Sequence, residues 1–516
     1  MEQQESRVKK TLLNARVNLF FYFITLALSF FSRKIFLDAL GADFIGLTGS
    51  LSSLLGFLNL AELGIGSAIG YVLYKPIFEQ NHEKINEIIS VFGYLYRWVG
   101  LVILGGGLIL ACFFPLIYPN TGFAFSIIYF AYFSFLFSSL IGYFVNYRQT
   151  LLGADQRNYV VTAYFKTAGI IKTLIQMGLA YYTGNYYLWA VIEFVFGILY
   201  AIILNWKINQ VYPWLKTDVR NGRELRKQYP EIIRYTKQLF VHKIGEVAIF
   251  QATPFLIYAF STLQSVAFYG NYTTITSNLQ NLLGSFLGST EASVGNLIAE
   301  GNKDRILKVY WELVAIRFFV TSIFAFALYN LLPPFIELWL GEQYIMSETI
   351  LLILIINFSM NIIRVVTDHY KNGFGIFYDV WAPFVEAIIS ITIAIVCGVK
   401  WGLEGVLLGN TVSTMLIVLG WKPYILFKKG MQVSIWNYIG NFIRNIMVMC
   451  GCIYLGTFIK KLLIPNLLGS ESWASWILYS IICVAIIGII SLFAMLLFVP
   501  GMRAFIRRIT KYMSKI

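Results

Sequence analysis

Ionisable side chains stand inside long apolar runs along this sequence, and their types and spacing suit the binding of a charged, polar ligand in a membrane. They are Arg33 and Lys34, Glu62, Arg97, Lys166 and Lys172, Glu193, Lys243 and Glu246, Glu291, Arg317, Arg364 with Asp368, Glu386 and Arg444. A charge at the bilayer centre costs at least about 2.5 kcal/mol on the most lenient insertion scale, so each must face a partner or water. Helical spacing shows which polar residues share a face. Thr25, Ser29 and Arg33 lie four apart. Thr162, Lys166, Gly169, Thr173 and Gln176 alternate four and three, as do Asn271, Thr274, Asn278, Asn281 and Ser285, and then Asn357, Asn361, Arg364 and Asp368. Four runs therefore carry a narrow polar seam on an otherwise greasy helix, the pattern of a wall around a wet cavity.

Each position also has a plainer reading. Arg33 and Lys34 could snorkel to headgroups at the outer end of their helix, and Arg97, Arg317 and Arg444 are expected to snorkel at the inner side. Lys243 with Glu246, and Arg364 with Asp368, are spaced for ion pairs within one helix. Lys166 and Lys172 have no carboxylate near them in their own helix, so a partner must come from another helix or from a ligand. That makes them the strongest binding candidates, with Arg33, Arg364, Asn278, Asn281, Asn357 and Asn361 beside them. Glu62, Glu291, Glu386, Asp368, Lys243 and Glu246 are the candidates for coupling or gating.

Enzymatic constellations are absent from the sequence: no nucleotide-cradling loop, no nucleophile elbow, no cluster of metal ligands. His82, His242 and His369 are scattered, and Cys112, Cys397, Cys450, Cys452 and Cys483 all fall in apolar runs, where they read as packing. The expectation is a non-enzyme without a cofactor, driven by substrate supply, the membrane potential or a coupling ion, H+ or Na+.

The elements that must hold these residues follow from the composition. The chain is 58% hydrophobic and 13% charged, about half the charge of a soluble domain, so it cannot cover its own apolar surface in water. Runs of roughly 20 apolar residues recur throughout, each long enough to cross a hydrocarbon core about 30 Å thick. They lack the strict alternation of barrel strands, so the fold expected is all-α and polytopic, with about fourteen spans. The second and eighth spans are long, with bends expected near Gly64, Gly66 and Gly70 and near Gly284 and Gly288. A net charge of +14 excludes nothing by itself, but the cations sit between apolar runs rather than on a soluble face, which argues against nucleic acid. Lys and Arg gather on one side, including the tail, which places both termini in the cytoplasm of a multi-pass membrane protein.

A basic hydrophilic stretch, residues 212–237, divides six spans from eight. The rhythm repeats weakly across it. Each half opens with a helix and an outer turn, Phe44-Ile45-Gly46 in one and Phe268-Tyr269-Gly270 in the other. A long helix follows with a carboxylate before small residues, Glu62 in the first half and Glu291 in the second. Two similar bundles are a common transporter plan. Gly405, Gly409 and Ser413, four apart, read as a close helix-packing face.

Leu40-Gly-Ala-Asp-Phe-Ile-Gly-Leu47, Leu60-Ala-Glu-Leu-Gly-Ile-Gly-Ser-Ala-Ile69 and Leu73-Tyr-Lys-Pro76 resemble the opening of bacterial polysaccharide flippases, the O-antigen and capsule repeat-unit translocases of the multidrug/oligosaccharidyl-lipid/polysaccharide exporter superfamily. The stretch from Asn372 through Pro383 and Glu386 to Trp401-Gly-Leu-Glu-Gly is similar too. The resemblance implies two six-helix bundles, 1–211 and 238–430, joined by the linker 212–237, with an extra helix pair and basic tail over 431–516 that the family commonly lacks. It implies a polyprenyl-diphosphate-linked oligosaccharide as substrate, flipped outward across the bacterial inner membrane by alternating access. Membrane lipids, a polysaccharide polymerase and glycosyltransferases are the implied partners. Lys166, Lys172, Arg33 and Arg364 would then bind the diphosphate, and Asn278, Asn281, Asn357 and Asn361 would line the sugar path. The rivals are a drug or cation antiporter of the same superfamily, which would want a carboxylate-rich cavity, and a membrane-embedded saccharide polymerase or ligase, which would want a large outer loop.

Overall fold

The apolar runs form helices in the computed structural model, which describes residues 7–119, 121–287, 290–463 and 472–513, without the side chains of 7–12, 241–243, 246, 286, 292, 463 and 512–513. Among the described residues no strand occurs. Two compact units divide the chain, Met1–Asn271 and Tyr272–Ile516.

The first unit begins with α1 (Arg7–Leu58), bent at Gly41, where φ is 82°. A side chain is strained at that φ, so glycine permits the bend. A tight turn, Asn59–Glu62, leads through left-handed Gly64 into α2 (Ile65–Phe78). Then come α3 (His82–Cys112), the short α4 (Phe114–Ile117), α5 (Phe125–Phe144), the short α6 (Gln149–Ala154), α7 (Asn158–Thr183) and α8 (Tyr186–Val211). Side chains of Asn81 and Asn185 accept main-chain N–H groups at the starts of α3 and α8, satisfying donors that a helix leaves unpaired. The stretch 212–237 holds α9 (Gly222–Leu225) and lies along α3. Trp214 stacks on His82 at 3.8 Å, and the Tyr229 hydroxyl donates to Glu87. Burial and that carboxylate push the Tyr229 hydroxyl up from its ordinary value. The unit closes with α10 (Pro230–Phe260), packed along α1 and α2, and the first residues of α11 (Leu263–Leu287).

The second unit holds the rest of α11, then α12 (Thr290–Ala299), α13 (Lys303–Leu340), α14 (Glu348–Gly373) and α15 (Ala382–Ser413), the last bent at Gly402. Helix continues through wider π-turns around α16 (Lys422–Ile425), and α17 (Ile435–Leu463), α18 (Trp473–Phe498) and α19 (Pro500–Met513) follow. Its spine is α13, which packs against α14, α17, α18 and α19. Phe326 of α13 meets Cys452, Cys483 and Ile487 in a buried cluster, so the extra helix pair belongs to this core. Cys452 is buried packing while Cys450 is exposed.

Among the described residues nine helical runs are long and apolar enough to cross a membrane, and two of them, Leu13–Glu62 and Ala382–Met431, are 50 residues each. A crossing needs roughly 20 residues, so each of these two makes a pass on either side of its bent glycine. The polar seams of α7 and α11 lower their hydropathy, and the apolar run described in α10 is Val247–Phe260. Those three helices, with the second passes of the long runs, bring nine to the expected fourteen. The chain is an all-α, multi-pass membrane protein.

Two details differ from the sequence reading. Phe44-Ile45-Gly46 and Phe268-Tyr269-Gly270 are not turns but lie within α1 and α11. Their glycines serve close approach instead: a Cβ on Gly46 would fall 1.8 Å from the Leu263 carbonyl oxygen. The bend expected near Gly64, Gly66 and Gly70 falls at Gly64, just before α2 starts, while Gly66 and Gly70 lie within that helix; Gly284 lies within α11 and Gly288 lies outside the described residues. Gly405 and Gly409 press on Cys397 and on Ser390 and Ala394, the close packing their spacing implied. Gly46→Ala should destabilise the protein by about 1–3 kcal/mol through overpacking against backbone. A thermal melt in detergent reads this, and an unchanged midpoint would contradict the contact.

Candidate functional site

A cavity of about 460 Å³ opens within the first unit. Arg33, Thr48, Gly49 and Ser52 of α1, Ser138 and Ser139 of α5, and Trp189 and Glu193 of α8 line it, with Ile45 and Phe135. The bend at Gly41 sets Arg33 and Thr48 on two segments of α1, so one helix supplies a cation from before the bend and hydroxyls from after it. Arg33 does not snorkel. Its Nε donates to Asn271 Oδ1 at 2.6 Å and its Nη2 to the Ala267 carbonyl at 2.8 Å. Gly270 leaves room for this, as a Cβ there would sit 2.8 Å from Nη2. Lys34, by contrast, is exposed and pairs with Asp38 at 3.5 Å.

Lys172 finds its partner on another helix: its Nζ lies 2.6 Å from Glu193 Oε1. Gln176 donates to Glu193 Oε2 at 3.3 Å and to the Trp189 carbonyl at 3.1 Å. The side chains of Lys172 and Glu193 are 25% and 26% exposed, so water reaches the pair and an incoming anion can compete for the ammonium. Phe165, Lys172 and Gln176 form one stripe facing α8, where Phe165 meets Tyr200 edge-on. Lys166 sits about 100° round the helix from that stripe. It is half-buried and makes no ion pair among the described residues. The structure thus gathers Arg33 and Lys172 around this site and leaves Lys166 to one side.

Arg33 and Glu193 are the charged residues of the wall, and Lys172 joins the site through its pair with Glu193. Four hydroxyl side chains stand in the same cavity, and Phe135 and Trp189 offer apolar faces. The Trp189 Nε1 is buried without a hydrogen-bond partner. Such an array can bind an anion through the guanidinium fork and sugar hydroxyls through side-chain oxygens. The sequence reading passed over Thr48, Ser52, Ser138, Ser139 and Trp189. Only the four-residue step from Thr48 to Ser52 could have signalled them, and serine is too ordinary in membrane helices to stand out.

Glu62 lies where the helix breaks before α2. It accepts the hydroxyls of Tyr96 and Tyr143, each at 2.5 Å. Two neutral donors grip this carboxyl, with no cation bonded to it among the described residues.

The remaining candidates lie elsewhere. Asn278 donates back to the Thr274 carbonyl at 2.8 Å, and Asn281 is exposed. Asn357 accepts from Thr411 at 3.0 Å, and Asn361, Arg364 and Glu386 are half-buried. Asp368 pairs with Lys422 at 2.9 Å, a partner from the segment after α15 that its own helix could not reveal. One turn on, Lys371 pairs with Asp379 at 2.5 Å, and Trp421 donates to the same carboxylate. This neutral double pair holds the end of α14. Glu291 accepts from Asn372 at 3.0 Å. Arg317 is 4% exposed and donates to the Leu287 carbonyl at the end of α11, so it does not snorkel either. The side chains of Lys243 and Glu246 lie outside the described residues.

No protein-family model and no curated protein sequence matches this chain. Solved structures do. It is similar to the lipid II flippase MurJ in an inward closed conformation, with a TM-score of 0.65 at 15% identity over 93% of this chain and 98% of that one. It is also similar to a multidrug resistance MATE family transporter of the MOP superfamily, inward-facing, with a TM-score of 0.59 at 16% identity over 81% of this chain and 99% of that one. The outward-facing conformation of such a transporter scores 0.50 at 14% identity over 80% of this chain and 93% of that one. The fold is the one these flippase and multidrug transporter structures share, consistent with the resemblance read in the sequence.

Proposed function

We propose that this chain is an alternating-access transporter that flips a polyprenyl-diphosphate-linked oligosaccharide across the bacterial inner membrane, with both termini cytoplasmic and no catalysis of its own. The cavity beside Arg33 carries this reading. A guanidinium and a displaceable ammonium suit a diphosphate, while Thr48, Ser52, Ser138 and Ser139 suit the first sugar. The fold likeness supports a lipid-linked cargo, because it spans 93% of the chain for the flippase and about 80% for the multidrug transporters. Membrane lipids surround the polyprenyl tail, glycosyltransferases supply the substrate, and a polymerase consumes it. Lys166 and Arg364 are further candidates for the diphosphate, and Asn278, Asn281, Asn357 and Asn361 for the sugar.

The test is a proteoliposome assay with a fluorescent polyprenyl-diphosphate saccharide whose outer-leaflet copies are quenched. Protein-dependent quenching beyond half of the label is expected. Transport of a cationic dye with no movement of the lipid would remove the reading and leave the antiporter.

One observation keeps the antiporter as the second reading: Glu62 is a carboxyl inside the helical bundle, gripped by the hydroxyls of Tyr96 and Tyr143. In either reading the coupling ion we propose is H+ or Na+, with Glu62 as the group that responds to it. Glu62→Gln should then abolish the response of transport to an imposed H+ or Na+ gradient while leaving the unstimulated rate within about threefold, less than the effect of one lost neutral hydrogen bond. A variant that keeps its response to both gradients would exclude Glu62 as the coupling group.

A further inference from the structure

A second cleft, of about 500 Å³, lies within the second unit between the start of α13 and α19. Arg305 and Lys308 line it from α13, and Arg503, Arg507, Arg508 and Lys511 line it from α19. Two carboxylates oppose these six cations. Glu312, its side chain 2% exposed, pairs with Arg508 at 3.0 Å, and Glu300 pairs with Arg305 at 2.5 Å. Arg507 and Lys308 make no ion pair among the described residues. Arg503, Arg507 and Lys511 follow at four-residue steps, so like charges face one another along one stripe. That arrangement weakens a helix unless an anion lies between them.

The cleft is built firmly. A Cβ on Gly501 would lie 2.3 Å from the Trp311 carbonyl oxygen, so α19 is pressed directly onto α13, and Met502 is 3% exposed. Its level is set as well, because α19 begins two residues after the membrane span α18 ends, at Phe498. Phe505 packs into the core, while Ile509 is exposed beside the cationic stripe. A basic helix with apolar residues on its other side, joined to the end of a span by one extended residue, Val499, lies at the headgroup layer.

We propose that this cleft binds the phosphate headgroup of an anionic phospholipid and so anchors α19 at the membrane surface. The chemistry is that of a phosphodiester meeting a cluster of Arg and Lys. A soluble phosphate would offer the same oxygens, but only a lipid is held at this depth next to α18.

Native mass spectrometry of the purified full chain, titrated with phosphatidylglycerol or phosphatidylcholine, tests the proposal. The wild-type protein should prefer phosphatidylglycerol, and Lys308→Gln with Arg503→Gln and Arg507→Gln should weaken that lipid by roughly a hundredfold, about fivefold per cation removed. Lys216→Gln with Arg220→Gln and Arg223→Gln, in the other basic stretch, should leave it within about twofold, since those charges lie off the cleft. Equal loss in both triple variants, an unchanged cleft variant, or displacement of the lipid by excess inorganic phosphate would each overturn the assignment. If the cleft triple variant does not fold, Arg507→Gln alone should still show the fivefold loss, and no loss there would also overturn it.

Discussion

Replacing Arg33 with glutamine is expected to reduce flipping of a diphosphate-linked saccharide by about 10–100-fold, the loss of one charge-assisted hydrogen-bond set worth roughly 1.5–3 kcal/mol. The guanidinium is the cavity's own cation, held in place by Asn271 and the Ala267 carbonyl and given room by Gly270. Part of any loss could come from loosening α1 against α11 rather than from the ligand. Arg33→Lys separates the two causes: it keeps the charge and gives up the fork, so transport should recover to within about tenfold while the anchoring bonds remain broken. The proteoliposome assay, run beside thermal melts of both variants, reads the result. Wild-type flipping by Arg33→Gln would remove the cavity from the mechanism.

The second large effect concerns Lys172 and Glu193. Lys172→Met strands Glu193 in a half-buried site with only Gln176 to satisfy it, and the expected destabilisation is about 1–3 kcal/mol. Glu193→Gln in the same chain removes the stranded charge. The double variant should therefore be more stable than Lys172→Met alone, by on the order of 1 kcal/mol of coupling. Transport should not follow stability. If the ammonium engages the substrate anion, the double variant folds but stays at least about tenfold slower than wild type, the scale of one charged hydrogen bond. A double variant that regains both stability and transport would reduce the pair to a strut between α7 and α8.

These two residues also mark how far the sequence could be read. The apolar runs, their number and their helical nature were legible in residue order, because a hydrocarbon core demands a fixed length of apolar helix with every backbone group paired internally. Gly64 was legible as a bend, since few other residues accept its conformation, and Gly405 with Gly409 as a packing face. Charge within a span was legible as an obligation: Lys172 had to meet something, and its own helix offered nothing.

What it met was decided by tertiary structure. Helical periodicity states which residues share a face but not which helix lies opposite. That is why Glu193 of α8 came to Lys172 and Lys422 came to Asp368, neither visible from the spacing within one helix. The same limit explains Arg33 and Arg317, which the sequence left free to snorkel. Their fate depended on whether Gly270 and the end of α11 brought main-chain carbonyls within reach, and a carbonyl that close offers a polar contact without the stretch to the headgroups. It explains Thr48, Ser52, Ser138 and Ser139 as well, ordinary hydroxyls that became a polar wall only once α1 had bent at Gly41 and α5 had packed on α8. From its sequence alone this protein had to be a helical membrane bundle with buried charges to satisfy. Which charges lie beside a cavity, and which only brace the fold, was settled by the long-range packing of helices that sequence order does not contain.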